Sequence, residues 1–203
     1  MPRQENTYEK ILDTALNLLA SNGYEGTSIK NITDQVGLTK AAFYAHFHNK
    51  SELLGKLIES YERDYIDVLI RRVSEQPGTA IDKLHRVISF SSGVGLKHRK
   101  GAIMFYSLSD DMKADMDIEP IRKRCSQKMA DFLAGLFEEG KKEGLIRDDL
   151  DSGMLALLLM SFSRGMFLQS VDNAPRISGE TYVRTFRRVF MQGIQIEGGD
   201  HGK

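Results

Sequence analysis

A single cysteine, Cys125, stands among 203 residues, so no intramolecular disulfide can form, which fits a reducing cytoplasm. Prolines are as scarce: four, at positions 2, 77, 120 and 175, and none interrupts a helical pattern. No stretch sustains the two-residue alternation of a half-buried strand between hairpin turns, which excludes a sheet-based fold. Charge of either sign is not in surplus. Lys+Arg and Asp+Glu number 28 each, so net charge points to neither nucleic acid, membrane nor acidic substrate. Long hydrophobic runs are missing too: the most apolar stretch, MLALLLMSF at 154–162, is too short to span a bilayer and is soon followed by Arg164. The opening MPRQENTYEK lacks the apolar centre of a signal peptide.

Helical periodicity is what the chain does have, and it predicts an all-α protein of about nine helices. The first opens at an Asn6 cap with Glu9 three residues on, stacks Tyr8, Ile11, Leu12, Ala15, Leu16 and Leu19 on one face, and closes at Gly23. A short second helix starts at Thr27 or Ser28, buries Ile29, Ile32 and Val36, and ends at Gly37. A third starts at Thr39 and buries Phe43 and Phe47. A fourth spans 51–73 with a stripe of Leu53, Leu54, Leu57, Ile58, Tyr61, Tyr65 and Leu69. After the Gln76-Pro77-Gly78 break, helices are predicted over 80–96, 102–109, 120–139, 152–170 and 179–196. Pro120 suits a first helical turn, Asp151 caps the helix after it, and Pro175 lies in the connection before the last helix. The closing GGDHGK reads as a disordered tail.

Two short helices joined at Gly37, behind a longer one, match a helix-turn-helix in length, turn residue and burial pattern. Phe43 and Phe47 turn back into a small three-helix core; Lys40, Ala41, Tyr44 and Ala45 turn outward, with His46 at the edge. That outward set suits a duplex, with lysine for phosphate or guanine, a tyrosine hydroxyl for phosphate, and alanines for close approach and thymine methyls. Ser28 at the start of the second helix and Lys50 at the start of the fourth are aimed at the backbone. The plainer reading is a packed helical hairpin with lysines reaching to water, and local charge does not decide against it. Residues 1–60 carry six Lys/Arg and seven Asp/Glu, although 37–51 hold two lysines, two histidines and no acid.

The run GTSIKNITDQVGLTKAAFYAHFHNKSELL, 26–54, resembles the DNA-binding signature of the tetracycline-repressor (TetR) family of bacterial transcription regulators. The matching positions are Thr27, Ile32, Gly37-Leu38-Thr39, Phe43-Tyr44-Ala45-His46-Phe47 and Lys50; Thr33 replaces the usual alanine and Leu38 the usual valine. The motif covers roughly the first 55 residues, and EEGKKEGLIRDDLD resembles the family's turn before its eighth helix. The resemblance implies DNA contacts at Ser28, Lys30, Thr39, Lys40, Ala41, Ala42, Tyr44, Ala45, His46 and Lys50. It implies a DNA-binding domain over 4–64, whose fourth helix bridges to an effector-binding and dimerisation domain over 65–203. It also implies a palindromic double-stranded operator, a homodimer and an apolar or aromatic small-molecule effector. The walls of an effector cavity would come from Tyr61, Tyr65, Phe90, Phe105, Tyr106, Met129, Phe132, Phe162 and Met166, residues that otherwise read as plain core. A four-helix dimer interface would use Leu155, Leu158, Phe162, Tyr182, Phe186, Val189 and Phe190.

Other chemistry finds little footing. His46 and His48 are two apart, so a helix points them away from each other, and His85, His98 and His201 lack ligand partners; neither a metal nor a cofactor is expected. Glycines 93 and 95 follow no strand, so they make no phosphate loop, and Cys125 sits on an apolar face. No acid, base and nucleophile come together, so no enzyme is expected. The expectation is a ligand-released repressor; the alternative is a helical ligand-binding or scaffold protein whose helix-turn-helix no longer binds DNA.

Overall fold

A computed structural model of the chain describes residues 2–92, 96–111, 118–172 and 179–196. The expectations at Gly93–Gly95, Pro175, His201 and the closing GGDHGK lie outside these residues. The described residues are almost wholly helical: α1 Pro2–Asn22, α2 Ile29–Val36, α3 Lys40–Tyr44, α4 Lys50–Tyr61, a π-helical turn Glu62–Ile66, α5 Asp67–Glu75, α6 Ala80–Ser92, α7 Leu96–Asp111, α8 Glu119–Lys142, α9 Ser152–Asp172 and α10 Gly179–Ile194. With α4, the π turn and α5 taken as one run, there are nine helical segments among the described residues, as predicted. No described helix is long and apolar enough to cross a membrane.

Two units make up the chain: Met1–Tyr65 with Gly95–Cys125, and Ile66–Val94 with Ser126–Lys203. In the first, α1 packs on α2 and α7, α2 on α3, and α4 on α7. Ile11, Ala15, Leu19, Ile32, Phe43, Phe47, Leu53, Leu54 and Ile58 are buried, and the Tyr8 ring stacks on Phe47 at 5.1 Å. Helix α1 starts at Pro2, ahead of the Asn6 cap predicted for it. Proline's fixed φ suits a helix start and its missing N–H costs nothing there, so Asn6 falls inside the helix. Helix α7 likewise begins before the predicted 102 and absorbs Gly101. A Cβ at Gly101 would stand 3.0 Å from the Tyr61 ring, so the glycine marks close helix packing rather than a break.

The predicted fourth helix runs on to Glu75, but not as one α-helix. Five residues, Glu62–Ile66, widen into a π turn. Tyr61, Tyr65 and Leu69 remain buried across it, so the apolar stripe is kept while the hydrogen-bond ladder changes.

In the second unit α6 packs on α5 and α10, and α10 on α9. Lys83 pairs with Glu139 at 2.5 Å, and the Glu143 carboxylate accepts the Ala80 N–H at 2.8 Å at the start of α6. Asp151 caps α9 as expected, accepting the Met154 N–H at 2.7 Å. An isolated antiparallel bridge between Ile146 and Gln195 ties the turn after α8 to the end of α10.

Candidate nucleic-acid interface

Caps fix the two short helices. The Ser28 hydroxyl accepts the Asn31 N–H at 3.1 Å, while the Asn31 side chain accepts the Ser28 N–H at 3.0 Å, a reciprocal box that satisfies two orphan donors. Gly37 closes α2 at φ 76°, a left-handed conformation glycine adopts without strain. Thr39 then caps α3, its hydroxyl accepting the Ala42 N–H at 3.2 Å. Thr33, where the family favours alanine, is 2% exposed, and its hydroxyl donates to the Lys30 carbonyl at 3.0 Å, so its burial leaves no polar group unpaired.

Phe43 and Phe47 are 0% and 1% exposed and lie 5.5 Å apart, ring to ring. The face opposite is open: Lys40, Ala41, Tyr44 and Ala45 are exposed, Ala42 and His46 half-buried. Tyr44 is 53% exposed, which is unusual for a large ring in a protein of this size. α3 is only five residues long, its last cap bond formed at Ala45, so His46 and Phe47 follow it rather than extend it.

The basic side chains nearby are differently placed. Lys30 is exposed but pairs with Asp34 at 2.7 Å, and that bond raises its pKa. His48 donates its N–H to Glu52 at 2.7 Å, and its Nδ1 lies as close to the same oxygen. The backbone bond first, then the ring, holds the Glu52 carboxyl below its ordinary range. Lys50 has turned inward: its ammonium donates to the Tyr24 carbonyl at 2.5 Å and lies 3.6 Å from the centroid of the Tyr24 ring. Tyr24 was not among the residues singled out in the sequence. An aromatic at a turn 26 residues from its lysine leaves no periodic signal.

The effector candidates divide between the units. Tyr61, Tyr65, Phe105 and Tyr106 form one ring cluster in the first, with centroids 5.1 Å apart for Tyr61–Tyr65 and Tyr61–Phe105 and 5.6 Å for Phe105–Tyr106. Burial, then Tyr106, Tyr65 and Cys125, push the Tyr61 hydroxyl well above its ordinary pKa. Phe90, Met129, Phe132, Phe162 and Met166 belong to the second unit and are half-buried. There Phe162 stacks on Tyr182 at 5.2 Å and on Phe186 at 3.3 Å, and Phe186 on Phe190 at 5.0 Å, which makes it part of an α9–α10 ring ladder.

Of the interface candidates, Leu155 is 5% exposed and belongs to the protomer's own core, whereas Leu158 and Val189 are 58% and 67% exposed. Met154 and Leu157 join Leu158 on the open side of α9. Among the described residues no group of three or more His, Cys, Asp or Glu could hold a metal ion.

Residues 11–57 match the sequence model described as "Bacterial regulatory proteins, tetR family". Over 148 residues, 70% of this chain and 69% of the relative, the chain is 25% identical to the HTH-type transcriptional repressor KstR2 of Mycolicibacterium smegmatis. Its fold is similar to the crystal structure of the MbdR regulator from Azoarcus sp. CIB, with a TM-score of 0.84 and 26% identity, covering 94% of this chain and 100% of that one. It is also similar in fold to AibR in complex with isovaleryl coenzyme A and operator DNA, at TM-score 0.78 and 22% identity over 90% of this chain and 97% of that one.

Proposed function

Because the chain belongs to the TetR family of bacterial regulatory proteins, we propose that it works as a homodimeric repressor that a small molecule releases from a palindromic operator. The observation that carries the DNA half is the open face of α3, where exposed Lys40, Ala41, Tyr44 and Ala45 back onto fully buried Phe43 and Phe47. A face held this firmly can enter a major groove with fixed orientation. Thr39, Lys40, Tyr44 and His46 contact the duplex, Ala41, Ala42 and Ala45 allow close approach, and Ser28 and Lys30 at the start of α2 meet the backbone. Tyr44→Ala is expected to lower operator affinity about tenfold, the scale of one lost base or phosphate contact. Its thermal melt should stay where it was, since the ring is mostly in solvent. An operator affinity that does not move in a binding titration would place the duplex elsewhere.

The effector half rests on α4. Its 12 residues, about 18 Å at 1.5 Å per residue, carry Lys50 at one end and Tyr61, which stacks on both Tyr65 and Phe105, at the other. AibR binds an acyl thioester as well as operator DNA, and an acyl chain suits walls of this kind. A ligand that separates Tyr61 from Phe105 moves α4 and with it the start of the DNA-binding face. For release, the ligand must bind the misaligned state better. A hundredfold preference corresponds to about 2.7 kcal/mol of coupling. Operator DNA must then weaken effector binding by the same factor. Short-chain acyl coenzyme A thioesters are the first compounds to titrate, with and without saturating operator. A thioester that binds equally well in both titrations would uncouple the ring cluster from DNA.

An apolar surface on α9 and α10 closes the dimer. Met154, Leu157, Leu158 and Val189 leave roughly half or more of their surface in water in the protomer, and the ring ladder of Phe162, Tyr182, Phe186 and Phe190 runs along the same two helices. Large apolar side chains left in water together on two neighbouring helices mark an interface.

A further inference from the structure

The α1–α2 turn is built more rigidly than a connection needs. Gly23 takes φ 69°, and a Cβ on Gly26 would fall 2.3 Å from the Asn22 carbonyl oxygen, a position no side chain can occupy. Thr27 is 1% exposed and its hydroxyl donates to the Gly23 carbonyl at 2.8 Å. The turn therefore holds Tyr24 still, with its carbonyl and its ring offered on one side. The carbonyl accepts the Thr27 N–H at 3.2 Å and the Lys50 ammonium at 2.5 Å, and the same ammonium sits 3.6 Å from the ring centroid. Charge-assisted bonding and cation–π attraction act on one nitrogen.

Two helix starts are joined by this contact. Four residues after Tyr24, Ser28 caps α2; one residue before Lys50, Asn49 caps α4, its side chain accepting the Glu52 N–H at 2.7 Å. Both are helix starts, where backbone N–H groups can meet an anion, and a duplex backbone must meet both at a fixed separation. Building on the DNA-binding reading, we propose that Lys50 is a positioning residue that acts through Tyr24, setting the spacing of the α2 and α4 starts, and not a phosphate contact. To reach a phosphate the ammonium would have to leave both the carbonyl and the ring.

The two roles differ in their response to salt. A phosphate contact releases a counterion, so its loss lowers the slope of log affinity against log salt by about 0.9 and weakens binding to any duplex. A positioning residue changes fit alone. The probes are a duplex that the wild-type full chain selects from random sequence and an unselected duplex of equal length, each titrated across a series of sodium chloride concentrations. Lys50→Met should weaken the selected duplex about tenfold, leave the unselected one unchanged and keep the salt slope. Tyr24→Leu should give a similar loss, the double variant should be no worse than either single one, and Tyr24→Phe, which keeps the ring, should bind as wild type. A slope reduced by about 0.9 in Lys50→Met, or losses that multiply in the double variant, would overturn the proposal. So would no loss at all in Lys50→Met. The salt slope of Lys50→Met decides alone if Tyr24→Leu does not fold. Failure of the wild type to select any duplex would overturn the regulator reading itself, and needs no variant to be seen.

Discussion

Leu158→Glu should give a folded monomer that no longer holds its operator. The side chain is 58% exposed in the protomer, so the carboxylate costs the isolated chain little. In the dimer it would be pressed against the partner's apolar surface. An unpaired charge buried in that way costs about 3–5 kcal/mol, and two-fold symmetry places a second copy in or near the same interface. Even the lower figure raises the dimer dissociation constant more than a hundredfold. Operator affinity falls with it, because a monomer reads one half-site where the dimer reads two. Light scattering at micromolar protein, beside circular dichroism of the same sample, checks both statements. A variant that still elutes as a dimer would move the interface off the Met154–Leu157–Leu158 face. Leu155→Glu is the wrong probe for this question: at 5% exposure it would damage the protomer itself.

Phe43→Ala separates folding from recognition by comparison with its neighbour. The Phe43 ring is fully buried, 5.5 Å from Phe47 and 5.6 Å from Tyr44. Removing a ring from such a site costs about 3–5 kcal/mol through lost burial and the cavity left behind. Against a typical total of about 5–15 kcal/mol, that is enough to leave the DNA-binding unit largely unfolded at growth temperature in a protein at the low end. Urea unfolding should show the loss directly, and operator binding should fail with it. Tyr44→Ala, one residue on and 53% exposed, should leave the unfolding free energy within about 0.5 kcal/mol of wild type while still weakening DNA binding. If the two variants lose equal stability, α3 does not present Tyr44 to solvent and the docking face is misassigned.

The contrast between these two rings is legible in the sequence, because it depends only on helical spacing and on caps close in sequence. Ser28, Gly37 and Thr39 announce where α2 starts and stops and where α3 starts, and the structure caps the two helices there. What spacing could not reveal are features settled by distant neighbours. Tyr61, Tyr65 and Leu69 are four apart, the pattern of an unbroken α-helix, yet the backbone between the first two widens into a π turn. The stripe is the same in either ladder, so the sequence carries no sign of the difference. Lys50 reads as a solvated cation beside DNA, and only the fold brings Tyr24 under it. α9 is apolar almost all round, which predicts that more than one face is covered but not which. Burial sorts Leu155 inward and Leu158 outward. The aromatic and methionine residues from Tyr61 to Met166 read as one set of candidate walls, and three-dimensional proximity puts Tyr61, Tyr65, Phe105 and Tyr106 in one cluster and Phe162 in a ladder with Phe186 and Phe190.

The side-chain pairs around the DNA-binding face bear on how the protein behaves among all the DNA it is not meant to bind. Lys30 is matched by Asp34 and His48 by Glu52, each within 2.7 Å. On an arbitrary stretch of chromosome these pairs must open before either group meets a phosphate, which lowers what non-specific binding gains from them. A cell offers about a million or more wrong sites for each right one, and those sites act as a sink that sets how many molecules remain to search. With a shallow sink, a small number of copies keeps the operator filled.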